Sequence, residues 1–177
     1  MLKKALLTLL LLTLPLLAQE PASAPQRARA ASYPLSVALP TGWESYPGDA
    51  KNPGEVLFLQ TASGAEMDAT VSFSAFPMPK EWDSILRRET FQLVVAMDAP
   101  VQTNQALTLS GARGHKWVYR APSKEGVEQV HYRLYLALPA SVGKNRLMVM
   151  QATAPAGQAA AALATFNDLA RSLAWGK

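Results

Sequence analysis

The sequence predicts an α+β domain in which an antiparallel β-sheet is flanked by helices. Three observations carry that class. Several short segments alternate apolar and polar residues between Gly, Pro, Ser and Asn, the period of half-buried strands. Two others, opening at Pro79 and at Gly157, repeat apolar residues at helical spacing. The later strand segments are joined by loops of five to eight residues, whereas a parallel return needs a dozen or more, so they run antiparallel.

The chain begins with Lys3 and Lys4, an apolar run from Ala5 to Leu17 and then Ala18, the pattern of a secretory signal peptide. Thirteen residues rise about 20 Å as a helix, short of a roughly 30 Å hydrocarbon core. Pro15 breaks that helix and Ala18 is the small residue at which a signal peptidase cuts, so residues 1–18 are expected to leave and no stable membrane span to remain. Leu16, bulkier than usual two positions before the cut, keeps an uncleaved anchor as the alternative. The expected location is extracytoplasmic, periplasmic or secreted. Zero cysteines exclude disulfides, thiolate metal sites and lipidation.

Residues 19–32, rich in Ala, Pro, Ser and Arg, bury little apolar surface and read as a flexible spacer. Removing residues 1–18 from 177 leaves 159, enough for one domain, expected over residues 33–177 after the spacer. Tyr33, Leu35, Val37 and Leu39 alternate as a first strand, and Pro40, Thr41 and Gly42 turn the chain into Trp43. The run Val56, Leu57, Phe58 and Leu59 suits a strand covered on both faces, and Ala69, Val71, Phe73 and Ala75 pair with it in a hairpin around Ser63 and Gly64. Pro79 opens a helix carrying Trp82, Ile85, Leu86, Leu93 and Met97, with Glu81 and Asp83 near its positive end and Arg87, Arg88 and Glu89 on its solvated face. Strands follow over 105–109, 115–120, 127–138 and 146–154. A closing helix over 157–175 carries an apolar stripe of Ala159, Leu163, Phe166, Ala170 and Leu173 that docks on the sheet.

The opening strand ends in Leu39-Pro40-Thr41-Gly42-Trp43. A Ser110-Gly111-Ala112-Arg113-Gly114 turn precedes a Trp- and Tyr-bearing strand, and the chain closes on Phe166-Asn167-Asp168-Leu169-Ala170-Arg171-Ser172-Leu173. In these segments, over Tyr33 to Trp175, the sequence resembles the PsbP-like group. That group includes the photosystem II extrinsic protein PsbP, Ran-binding Mog proteins and bacterial DcrB-like envelope proteins. The resemblance implies an αβα sandwich and a binding or assembly module without known catalysis. It transfers no functional residue, because the matching motifs mark architecture.

Composition and motifs exclude several classes. Seventeen basic against thirteen acidic residues become fifteen against thirteen without Lys3 and Lys4, and no basic run interleaves with aromatic residues, which argues against nucleic-acid binding. The segment 110–114 lacks the Gly-x-Ser-x-Gly order of a nucleophile elbow. His115 and His131, the only histidines, cannot form a three-histidine zinc site. No phosphate-cradling loop, dinucleotide fingerprint or calcium loop is present, so no cofactor or metal is expected.

One constellation survives. Along 127–138, Val130, Tyr132, Leu134 and Leu136 share one face and Gln129, His131, Arg133 and Tyr135 the other. A hairpin turning at Ser123 and Lys124 sets Lys116 opposite His131, with Arg120 on the same face. Lys116, Arg120, His131, Arg133 and Tyr135 then form a basic, aromatic-edged patch for an acidic partner surface or an anionic ligand, against the plain alternative of a solvated sheet face. The reading is an exported, non-catalytic binding or assembly module of the bacterial envelope with a protein partner. Its competitor, a periplasmic small-ligand carrier or an unrecognised hydrolase using the His131 face, requires a concave pocket there. On the first reading, Arg133→Glu weakens partner capture and leaves the domain folded.

Overall fold

Alternation in the sequence becomes strands β1 (Arg27–Arg29), β2 (Leu35–Ala38), β3 (Trp43–Pro47), β4 (Glu55–Thr61) and β5 (Thr70–Pro77), followed by helix α1 (Trp82–Phe91). Strands β6 (Val101–Leu109), β7 (Ala112–Pro122), β8 (Glu128–Ala137) and β9 (Arg146–Pro155), helix α2 (Ala159–Arg171) and strand β10 (Ala174–Trp175) complete the order. The computed structural model describes residues 25–31, 33–49, 51, 54–77, 82–93, 99, 101–138, 142 and 146–175. The expected signal segment, residues 19–24 of the spacer, and Pro79, Glu81 and Met97 of the expected first helix lie outside them.

Seven strands form one sheet in the order β3-β4-β5-β9-β8-β7-β6, every neighbour antiparallel, and β1-β2-β10 form a small second sheet. The spacer reading is corrected at Arg27–Arg29, which pair with Ser36–Ala38. Ala28 is buried there, and Arg27 donates to the carbonyls of Ser36 and Ser172 at 3.1 and 2.8 Å. A strand with one apolar side chain carries no alternation that composition could reveal. Strand β3 escapes the sequence for the same reason, because only Trp43 of its five residues is buried.

The main core lies between the large sheet and the layer made by α2 and the small sheet. It contains Leu57, Leu59, Val71 and Phe73, the Val130, Tyr132, Leu134 and Leu136 face, and Phe166, Leu169 and Ala170 of α2. The Phe166 ring meets Tyr132 edge-on at 6.1 Å. The closing helix is shorter than its apolar stripe. Ala156–Gln158 make a 3₁₀ turn, and Ala174–Trp175 pair with Ser36 and Leu35, so the last residues close the small sheet. The run in β4 is buried at Leu57 and Leu59 and only half-buried at Val56 and Phe58, so one of its faces is fully covered.

A second, smaller core lies on the opposite face of the sheet, where Ile85 of α1 and Leu93 meet Trp117, Tyr119, Tyr135, Leu147 and Val149. Two backbone features hold β7 in place there. Ser110 and Gly111 take φ of 48° and 78°, the doubly left-handed turn that matches strand twist and joins β6 to β7 in two residues. Gly114 passes so close to β8 that a Cβ there would stand 2.6 Å from Leu136 Cδ2 and 2.9 Å from the Tyr135 carbonyl oxygen. Only glycine allows that approach.

Candidate functional site

The expected five-residue patch divides between the two faces of the sheet. The β7–β8 hairpin turns around Glu125, with Pro122 opposite Glu128, Gly126 at φ 81°, and the N–H groups of Glu125 and Val127 both donating to Ser123 Oγ at 3.2 Å. Lys116 therefore faces Leu134, and Tyr119 faces His131. Compared with a turn at Ser123 and Lys124 this is a shift of three residues. An odd shift moves a side chain to the other face.

Lys116 and Arg120 accordingly lie on the α2 side. Lys116 Nζ stands 5.8 Å from the Tyr132 ring centre and 3.4 Å from Asn167 Oδ1, and Arg120 pairs loosely with Glu128 at 3.8 Å. His131, Arg133 and Tyr135 stay together on the α1 side, joined by Trp117 and Tyr119 of β7. The His131 ring lies flat on Tyr119, 4.8 Å away and 6° from parallel, while Trp117 meets Tyr135 edge-on at 5.3 Å.

At the centre is an ion pair that corrects the solvated-face reading of Glu89. Its side chain is 8 % exposed, and Arg133 Nη1 donates to its Oε2 at 2.9 Å. The Tyr135 hydroxyl donates to the same carboxylate. Burial foremost, and the neighbouring Glu89 charge next, push the Tyr135 phenol well above its ordinary range. Burial also raises Tyr119, against the opposing pull of Arg133, whose guanidinium lies 5.7 Å from the Tyr119 ring centre. Burial holds the His131 imidazole below its ordinary value, partly opposed by a hydrogen bond to the Ala121 backbone. His115, hydrogen-bonded to Asn104 and packed against the Trp117 ring at a 38° tilt, is lowered by burial as well. The signal for Glu89 was present in the sequence. It stands four residues after Ile85 and four before Leu93, inside the apolar stripe of its own helix.

Beside this pair the first helix and the sheet leave a groove of about 420 Å³. Phe76, Ile85, Tyr135, Leu147 and Val149 give it apolar walls, and Arg88, Glu89 and Gln151 give it a polar rim. The Arg88 side chain is 73 % exposed and reaches Glu89 only at 4.0 Å, which leaves its donors directed to the groove mouth and solvent. Tyr135 is the one residue of the sequence-derived patch that lines the groove; His131 does not. Among the described residues no group of three or more metal-ligating side chains comes together.

A seven-stranded antiparallel sheet, with a short helix on one face and a longer helix plus a small three-stranded sheet on the other, makes an α+β sandwich with a PsbP-like fold. Solved structures bear this out. The chain is similar to cyanobacterial PsbP (CyanoP) from Synechocystis sp. PCC 6803, with TM-score 0.61 at 13 % identity over 89 % of this chain and 95 % of that one. It is also similar to LpqN, involved in cell envelope biogenesis of Mycobacterium tuberculosis, with TM-score 0.60 at 12 % identity over 81 % of this chain and 83 % of that one. No family model and no curated protein matches the sequence. At such identities the likeness is one of fold.

Proposed function

We propose that this chain is an exported, non-catalytic binding module of the cell envelope and that it takes a segment of a protein partner in the groove beside α1. The observation that carries the reading is the groove itself, with apolar walls, an exposed arginine at its mouth and a charged pair already satisfied inside. An apolar trough with few polar groups is the form of a recognition site. The Glu89 carboxylate is committed to Arg133 and Tyr135 and so ties the helix to the sheet, while the His131 ring lies against Tyr119 within the sheet. Two features support the envelope. One is the signal-like opening of the sequence, and the other is the fold's likeness to LpqN, whose described involvement is in cell envelope biogenesis.

A second reading, a carrier of a small apolar ligand, is favoured by the groove volume, which falls in the roughly 300–1,000 Å³ range of ligand pockets. One experiment separates the two. The tagged protein is crosslinked in intact cells and its captured proteins are identified, beside Phe76→Glu and Arg88→Glu, changes at exposed positions of the groove. Capture that both variants abolish, with unchanged thermal unfolding, supports the partner reading. Capture indifferent to both removes the groove from it, and a small molecule retained in native mass spectrometry and lost in the variants favours the carrier.

A further inference from the structure

The two sheets have four edges, and three of them are blunted. β3 is five residues long, carries Glu44 and ends in Pro47; β1 is Arg-Ala-Arg; β10 is two residues. Short length, charge and proline are the devices by which proteins keep an edge from pairing with another chain. The fourth edge, β6, has none of them. It is Val-Gln-Thr-Asn-Gln-Ala-Leu-Thr-Leu, nine residues without a charge or a proline, irregular only between Val101 and Thr103. Gln102, Asn104, Gln105, Ala106 and Thr108 are exposed. Among the described residues no backbone hydrogen bond leaves β6 on the side away from β7. About half of its N–H and C=O groups therefore form an open ladder.

We propose that β6 pairs antiparallel with β6 of a second copy of this chain, joining two seven-stranded sheets into one. The argument for a second copy is self-complementarity. About a two-fold axis at Gln105, the midpoint of the strand, Gln102 meets Thr108, Thr103 meets Leu107, Asn104 meets Ala106 and Gln105 meets its own counterpart. No pair sets like charges together, the main penalty on a strand that pairs with itself. The cation behind the axis, Lys116 of β7, which pairs with Gln105, would face its counterpart across three strand spacings, about 14 Å, beyond a Debye length of about 8 Å. Such an interface is isologous and closes as a dimer, with β3 left as the blunted outer edge of each half.

The chain has no cysteine, so its single-cysteine variants can crosslink only between molecules. The full exported chain is studied by sedimentation from about 1 to about 300 µM, a range that reports dissociation constants of that order. Wild type is expected to pass from monomer to dimer, and Gln105→Lys, which sets two ammonium groups together on the axis, to weaken the dimer about tenfold or more. In a scan of Asn104→Cys, Gln105→Cys and Ala106→Cys under mild oxidation, the position on the axis crosslinks fastest. A wild-type chain that stays monomeric at every concentration overturns the proposal. So does a dimer that Gln105→Lys leaves unchanged while none of the three cysteine variants crosslinks, since the interface is then elsewhere. If Gln105→Lys fails to fold, the cysteine scan alone decides.

Discussion

Removing Arg133 tests whether the ion pair beneath α1 holds the helix to the sheet. Arg133→Leu keeps the aliphatic bulk of the side chain and leaves the Glu89 carboxylate, 8 % exposed, without its cation. Breaking one side of a fully buried pair costs about 3–5 kcal/mol. Arg133 itself retains 26 % exposure and Tyr135 still donates to the carboxylate, so the expected loss lies below that range, at about 2–3 kcal/mol. In a domain of this size the melting midpoint falls by about 5–10 °C. Glu89→Leu alone costs less, because an arginine freed at this depth can turn its head to water. The double variant, with both charges replaced by apolar groups of similar size, is expected within about 1 kcal/mol of wild type. Equilibrium unfolding in guanidinium, followed by tryptophan fluorescence, measures all four proteins, and the cycle isolates the coupling. Losses that simply add, with Arg133→Leu costing under about 1 kcal/mol, would falsify the pairing as the helix latch. Arg133→Glu is expected to cost more than Arg133→Leu, because it sets a second carboxylate against Glu89. This reverses the expectation, drawn from the sequence alone, that Arg133→Glu leaves the domain folded.

The remaining predictions concern the core and its titrations. Burial lowers His115 and His131 in the folded state, so as pH drops below 6.5 the unfolded chain takes up protons that the fold refuses, and stability declines toward acid. His115→Gln with His131→Gln should flatten the change in unfolding midpoint between pH 7.5 and 5.5, measured against wild type; an unaltered slope assigns it to other groups. Tyr132, pushed up to about 12 by burial, keeps its proton in the fold while the unfolded chain loses it near 10, so stability declines as pH rises through that window. Tyr132→Phe should lessen this alkaline decline, to which the raised phenols of Tyr119 and Tyr135 also contribute, and a slope identical to wild type would exonerate Tyr132. Phe166→Ala, at a fully buried ring, is expected to cost about 3–5 kcal/mol in chemical denaturation, and a loss under about 1 kcal/mol would mean that α2 does not anchor the core. Gly114→Ala should destabilise the β7–β8 pairing, seen as faster amide exchange around Gly114 and Leu136; unchanged protection would show that the strands can part without cost.

How much of this was legible in the sequence depends on whether a feature's cause was local. The six long strands β4 to β9, the short β2 with its buried Leu35 and Val37, and the final helix carry their own periodicity, and they were found to within a few residues. Strands β1, β3 and β10 have too few buried side chains to carry a period, and they exist because a neighbour offers an edge. The site failed at one turn. Gly126 adopts a left-handed φ and Ser123 accepts two backbone N–H groups, which places the reversal at Glu125 rather than between Ser123 and Lys124. Strand periodicity had already assigned Gln129 to Leu136 of β8 to their correct faces. Which face of β7 joins it is fixed by the turn alone, because the pairing sum moves by the offset of the turn and side chains alternate with period two. That one offset exchanges Lys116 and Arg120 for Trp117 and Tyr119. A site that read as an exposed basic patch is thereby an aromatic floor over which one buried carboxylate, Glu89, meets one arginine. The groove follows from the same cause, because a helix ten residues long with an acid in its apolar stripe can settle only where a cation and a hydroxyl receive it. Arg133 and Tyr135 fix that place, and the sheet beyond the helix stays open toward Phe76 and Gln151.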